Sequence, residues 1–189
     1  MQIGDAAERL AALTGQNAFV RRLPDGVTYR FHHMMKECAL RVFLTLPQER
    51  RNDCRRRFGA WYEQHRQYLH AMQAYYQSGD YHALLRVVQQ DAGILLSSLD
   101  PKNVLDFLDE CPEDTLKAHP AALLVLMRSM FNWRNIPRMQ ALRQLLLTAI
   151  DEDPQRSAEE RGNLLGECDL IMSFLCYNDI SAMSRLHRS

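Results

Sequence analysis

Residues 29–46, YRFHHMMKECALRVFLTL, contain the point at which the sequence changes from strand to helix. The segments 18–23 (AFVRRL) and 27–31 (VTYRF) flank a Pro-Asp-Gly turn at 24–26, and this pattern predicts a short β-hairpin. From about residue 33 the apolar side chains recur with a helical period. The stretch therefore joins a small β element to a helix.

The rest of the sequence has helical patterns. A helix is predicted at 4–14, before the hairpin, and the order helix, hairpin, helix would end a winged-helix fold. Further candidate helices cover residues 48–65, 67–77, 80–97, 101–110, 113–117, 119–133, 136–151 and 157–177, with a last one starting near Ile180. Because short loops join them, the sequence predicts a mainly α protein in which an array of antiparallel helical hairpins follows the β-hairpin.

The two helices after the β-hairpin each have an apolar stripe, which is typical of a helix face that packs on a core. In the helix 33–46 the stripe consists of Met35, Ala39, Val42 and Leu46. In the helix 48–65 it consists of Cys54, Phe58 and Trp61.

Three helix-to-helix corners share one pattern, in SGDYHALLRV (78–87), WRNIPRMQAL (133–142) and YNDISAMSRL (177–186). A short polar residue precedes an apolar one, and further apolar residues follow three and six positions later. The polar residues, Asp80, Asn135 and Asp179, can each cap the second helix of a pair. The pattern predicts a tetratricopeptide-like repeat, most clearly over 119–189.

The composition is that of an ordinary globular protein, with 189 residues of which 47% are hydrophobic and 24% charged. Residues 1–79 contain 12 Lys and Arg against 7 Asp and Glu, so only this part has a basic excess. The five cysteines form no CxxC pair, which favours reduced thiols and a cytoplasmic protein. The longest apolar run, at 121–127, is too short to span a membrane.

The sequence contains no motif for catalysis. It has no GxxxxGK[ST] or GxGxxG loop, no GxSxG elbow and no HExxH pair. The histidines at 65, 70 and 82 lie on different predicted helices, so their sequence positions do not define a metal site. We therefore assign no catalytic residue and no metal ligand.

Two surfaces are candidates for binding. The run ERRNDCRRR (49–57) gives a helix a broad positive face that suits an anionic partner such as nucleic acid, or is simply solvated: Arg50, Arg51, Arg55, Arg56 and Arg57. An aromatic-rich stretch would suit either helix–helix packing or a groove for a peptide or small effector: Trp61, Tyr62, Tyr68, Tyr75 and Tyr76.

The order of these segments resembles MalT-like regulators, which are large LuxR-type transcription activators of the STAND ATPase class. The residues that carry the resemblance are the strand Tyr29-Arg30-Phe31-His32, the Ala60-Trp61-Tyr62 core and the Gly79-Asp80-Tyr81 corner. The resemblance is best over about 5–90. Family members are several times longer, so we interpret the chain as an internal fragment.

The resemblance implies three regions: the C-terminal part of a winged helix at 1–46, a helical arm at 47–118, and the start of a tetratricopeptide-like sensor array at 119–189. It also implies that His32 contacts the β-phosphate of ADP in the parent protein, whereas the residues alone equally suit a helix cap at this position. ATP or ADP would be a cofactor of the parent and not of this fragment.

The function predicted on this basis is to relay the nucleotide or inducer state within a transcription regulator. The expected partners are other domains of the parent, a small-molecule or protein inducer and a second copy of the protein, with DNA bound only through a separate C-terminal domain and no membrane partner. The alternative is a free-standing helical-repeat adaptor for protein–protein interaction. No pattern favours an enzyme.

Overall fold

The structure is a computed structural model that describes residues 6–16, 19–26, 29–92, 94, 96 and 99–176. Over these residues the fold is mainly α, with one short antiparallel hairpin, as the sequence predicts. The strands are β1 (Val20–Arg22) and β2 (Tyr29–Phe31). The helices are α1 (Ala6–Gly15), α2 (His33–Thr45), α3 (Gln48–Gln64), α4 (Tyr68–Ser78), α5 (Tyr81–Gln90), α6 (Pro101–Glu110), α7 (Glu113–Lys117), α8 (Pro120–Asn132), α9 (Ile136–Asp151) and α10 (Ala158–Ser173), followed by a 3₁₀ turn at Phe174–Cys176.

The chain divides into two units, Met1–Arg51 and Asn52–Ser189. In the first unit, β1 pairs with β2 so that Arg21 lies opposite Arg30. His32 is the N-cap of α2, and its Nδ1 accepts a 3.4 Å hydrogen bond from the backbone N–H of Met34. The strand-to-helix junction predicted at this histidine therefore ends in a side-chain cap.

The apolar stripe of α2 is not buried within the part of the chain that the structure describes. No residue of this helix is buried, and Val42 is 63% exposed. The expectation that Met35, Ala39, Val42 and Leu46 face a core is thus wrong for the described residues.

The second unit has one core, to which helices α4 to α10 contribute. Two helical hairpins, α4–α5 and α8–α9, form most of it. Its largest fully buried side chains include Leu85, Leu96, Leu126, Met130, Leu146 and Ile171. Helices on both sides of residue 118 contribute to this core. The three regions that the resemblance implies, divided after residues 46 and 118, remain a prediction.

The corners of the two hairpins have the same construction. Gly79 (φ 71°) ends α4 in the left-handed conformation, and Arg134 (φ 57°) takes the corresponding place after α8. The side chains of the next residues, Asp80 and Asn135, then accept hydrogen bonds from the backbone N–H three positions on, at 3.1 and 3.3 Å. The structure therefore shows the predicted corner twice; the third copy, at Asp179, and the helix expected from Ile180 lie outside the described residues.

Two expectations for individual helices are wrong. The helix expected over 80–97 ends at Gln90, because Ala92 has φ 52° and a right-handed helix cannot continue through a left-handed residue. In α3 the stripe with Phe58 and Trp61 is not the packed face, since these side chains are 58% and 50% exposed. The helix packs instead through Gly59, its one buried residue.

Candidate functional site

The candidate site is a groove of about 320 Å³ between α4, α5 and α6, which we call the α4–α6 groove. Its apolar floor is formed by Met72, Leu84, Leu99, Val104 and Phe107. Its rim is formed by Gln73, Tyr76 and Gln77 from α4 and by Asn103 and Asp106 from α6. A concave apolar surface with a few polar groups at its edge is the usual form of a small-molecule site.

The start of α6 determines which of its side chains reach the rim. Asp100 is the N-cap, its carboxylate accepts a 3.0 Å hydrogen bond from the Lys102 N–H, and Pro101 occupies the first turn. The buried residues of the helix then follow at helical spacing: Val104, Phe107 and Leu108. Asn103 and Asp106 each precede a buried residue by one position, which places them at the edge of the packed face.

One carboxylate links the three helices beside the groove. Glu110, at the end of α6, accepts a 3.3 Å hydrogen bond from the Tyr81 hydroxyl on α5 and lies near the Tyr76 hydroxyl on α4. Burial, the neighbouring Glu110 carboxylate and the nearby charge of Asp106 all raise the pKa of Tyr76. Tyr76 therefore remains a neutral hydrogen-bond donor, in a field made negative by two carboxylates.

Tyr75, the neighbour of Tyr76, has a structural role. Its ring is buried, and its hydroxyl donates a 2.7 Å hydrogen bond to Glu63 on α3. The guanidinium of Arg86 holds the same carboxylate in a two-point contact, at 3.0 and 2.9 Å. Burial, with the hydrogen bond to Glu63, raises the pKa of Tyr75 to about 12. These contacts join α3, α4 and α5.

The remaining aromatic candidates do not line the groove. Trp61 stacks on His65 with 4.0 Å between ring centroids, and Tyr62 stacks on His70 at 5.1 Å. Tyr68 packs half-buried against the core. The sequence left both helix–helix packing and a groove open for the five aromatic residues, and Tyr76 is the member found in the α4–α6 groove.

Much of the basic run is engaged within the protein. Arg56 and Arg57 approach opposite oxygens of Asp53, at 2.8 and 3.7 Å. Arg55 donates a 3.0 Å hydrogen bond to the backbone carbonyl of Gln77, at the end of α4. Arg51 is hydrogen-bonded to the Gln48 side chain, and Arg50 is exposed. An anionic partner for this face remains a prediction. Because several of these arginines already have contacts within the protein, fewer of them are available to such a partner than the sequence suggests.

His32 lines a separate cleft of about 350 Å³ in the first unit. Arg21 and Arg30, which are opposite each other in the hairpin, line the same cleft. The imidazole lies 4.1 Å from that of His33, measured between ring centroids. The cleft thus combines two guanidinium groups with a helix N-terminus, which suits an anion. The phosphate contact assigned to His32 in the parent protein remains a prediction.

Sequence reasoning missed the polar rim of the α4–α6 groove and one histidine pair. Gln73, Gln77 and Asn103 are common helix-surface residue types, so only the position beside a buried residue could have indicated them. His82 and His119 are 37 residues apart, yet Nδ1 of the first lies 3.1 Å from Nε2 of the second. Burial, with the charges of His82 and Arg86, lowers the pKa of His119.

Within the described residues, no group of three or more His, Cys, Asp and Glu side chains is close enough to hold a metal ion. None of the described helices is long and apolar enough to cross a bilayer. The chain matches no protein-family model, no curated protein sequence and no solved structure.

Proposed function

We propose that this chain is a signal-coupling region of a MalT-like LuxR-type transcription regulator, in which the helical array binds an effector in the α4–α6 groove. Two features support the proposal: the strand-to-helix junction at His32 and the repeated hairpin corners at Asp80 and Asn135. As a transcription regulator, the parent protein would act in the cytoplasm.

The observation that carries the proposal is that the walls of the groove belong to different helices. A ligand there contacts α4 through Tyr76 and α6 through Asp106 at the same time. Because the affinity for such a ligand depends on the spacing of the two helices, binding favours one arrangement of them. The next helix, α7, packs on both α8 and α9, so a shift of α6 has a route into the second hairpin.

Catalysis and DNA recognition belong, in this proposal, to other domains of the parent protein. ATP or ADP is then a cofactor of the parent, and self-association is a further role of the helical array. Accordingly, we expect the purified chain neither to hydrolyse ATP nor to bind promoter DNA specifically. Measurable ATP turnover by this chain would overturn the assignment.

Groove binding can be tested with two tryptophan variants. Asn103→Trp fills the rim of the groove, whereas Gln144→Trp places the same side chain on the exposed surface of α9. We expect small molecules that raise the melting temperature of the wild type to act equally on Gln144→Trp and to have no effect on Asn103→Trp. Circular dichroism checks that both variants are folded. If every stabilising compound acts equally on all three proteins, the groove is not the effector site.

A second candidate function is that of a protein–protein adaptor. The observation that favours it is the exposed aromatic pair on α3, where Phe58 and Trp61 are one turn apart and more than half of the surface of Phe58 is accessible. The coding sequence on both sides of this chain separates the two functions. A phosphate-binding loop upstream and a LuxR-type helix-turn-helix downstream support the regulator, and native start and stop codons support the adaptor.

A further inference from the structure

We infer that the ligand of the α4–α6 groove is a small organic cation, with an amine beside the Asp106 carboxylate and an apolar body over the floor. The inference rests on the proposed function and adds the chemical class of the effector. It follows from three properties of the groove: the charge of its rim, the polar groups that remain accessible, and its size.

Among the described residues, the charged side chain that lines the rim is an acidic one. Asp106 is the acidic residue that lines the groove, and no Lys, Arg or His of the described residues lines it. Glu110, one helical turn further along α6, adds a second carboxylate, which accepts a hydrogen bond from Tyr81 and lies near the Tyr76 hydroxyl. By contrast, Asp109 on the same helix is paired with Arg138 at 2.6 Å and does not line the groove. A cation is therefore favoured at Asp106, and an anion is repelled.

The remaining rim groups suit a ligand with polar atoms near its charge. Gln73 and Gln77 are four residues apart on α4, so they project from the same side of that helix. Asn103 is one turn before Asp106 on α6. These primary amides present donors and acceptors without charge, which can fix the orientation of a ligand but cannot neutralise an anion.

The volume of the groove favours a small molecule over a partner helix. About 320 Å³ is at the lower end of the range of about 300–1,000 Å³ that is typical of ligand pockets. The floor is buried and apolar: Met72, Leu84, Val104 and Phe107. A short hydrocarbon or a single ring can cover this floor and still place its amine at the rim.

The test uses three probes of similar length and different charge: 4-phenylbutylamine, 4-phenylbutanol and 4-phenylbutyrate. Each is titrated into the full chain labelled with ¹⁵N, and the side-chain amide signals of Gln73, Gln77 and Asn103 are followed. We expect the amine to bind about three- to tenfold more tightly than the alcohol, and the carboxylate to bind most weakly. In Asp106→Asn the affinity for the amine should fall to that for the alcohol.

Asp109→Asn is the matched control, because it removes the same charge from the same helix outside the groove. It should leave the ratio of amine to alcohol affinity unchanged within about twofold. Equal binding of amine and alcohol to the wild type, with shifts of the rim amides, would overturn the cation assignment and leave groove binding intact. If none of the probes shifts these amides, both the assignment and the groove as effector site are overturned.

Discussion

Gly59 on α3 lies directly against the ring of Tyr75 on α4, so closely that a Cβ atom at Gly59 would be 2.6 Å from Cε1 of the ring. The ring cannot easily move away, because it is buried and its hydroxyl is bonded to Glu63. At the point where α3 contacts the α4–α5 hairpin, the residue on α3 is thus a glycine, which has no side chain.

The first prediction concerns this contact. Alanine is a better helix former than glycine by about 1 kcal/mol, but at position 59 its methyl group overlaps the ring of Tyr75. We expect Gly59→Ala to lower the free energy of unfolding by about 1–3 kcal/mol in urea denaturation. In the control Gly162→Ala, on α10, no described residue beyond the local helix backbone lies within 4 Å of the new Cβ, so stability should rise by up to about 1 kcal/mol. Equal effects of the two substitutions would contradict the packing.

The second prediction concerns Glu63, whose pKa is lowered chiefly by its hydrogen bond to Arg86 and also by Tyr75. A carboxylate with a lowered pKa in the folded state stabilises the protein above its unfolded value of 4.5, and this contribution is lost as the pH falls below that value. Glu63→Gln should therefore cost about 1–2 kcal/mol at pH 7 and progressively less below pH of about 4.

Glu167→Gln is the control for this ion pair. Glu167 bonds to Arg128 at 3.0 Å, but both side chains are about half exposed. Such a pair contributes little, so the change in stability should stay within about 0.5 kcal/mol at every pH. If the loss of stability in Glu63→Gln does not depend on pH, the negative charge of Glu63 is not the source of its stabilising effect.

The third prediction concerns His119, whose pKa is lowered by burial and by the charges of His82 and Arg86. The unfolded state, in which the pKa of this histidine is about 6.5, binds the proton more tightly than the folded state. The free energy of unfolding therefore keeps its full value above pH 6.5 and falls as the pH decreases from 6.5 towards the pKa of His119 in the folded state. Plotted against pH from 5 to 7.5, the urea midpoint of the wild type should therefore have a slope to which His119 contributes. We expect His119→Asn to remove that contribution. In His82→Asn the slope should be smaller but present, since burial remains. An unchanged slope in His119→Asn would assign it to other groups.

The fourth prediction uses the equivalence of the two hairpin corners. Arg134 adopts a left-handed conformation that suits glycine, whereas Gly79 already provides it. Arg134→Gly should therefore stabilise the protein by up to about 1 kcal/mol, and Gly79→Ala should destabilise it by about the same amount. Thermal or urea unfolding measures both. Opposite signs support the common construction; two losses of similar size would show that the Arg134 side chain has a role of its own.

Local signals account for the parts of the fold that the sequence predicted well. The helices predicted over 101–110 and from 157 begin near those positions, because residues close in sequence cap them: Asp100 before α6, and Ser157 with Glu160 at α10. The same reasoning located the corners at Asp80 and Asn135. By contrast, the predicted end of α5 was wrong. Ala92 adopts a left-handed conformation, which an alanine in a sequence does not indicate.

The candidate site depended on contacts that local patterns do not contain. Phe58 and Trp61 gave α3 an apparent core face, but the close contact at Gly59 is made by a residue without hydrophobic surface. Tyr75 and Tyr76 are adjacent and chemically alike, yet helix geometry turns one towards Glu63 and the other towards the groove. Asp106 lines that groove only because α4 lies across from it.

The corner that joins α4 to α5 and α8 to α9 also bears on how such a chain can change its length. At both places one left-handed residue and one short polar side chain, adjacent in sequence, form the corner. A duplicated segment that carried this joint would bring its own hinge angle with it. Insertion or loss of whole helix pairs could then lengthen or shorten the array during evolution, or in the laboratory, without redesign of the connections.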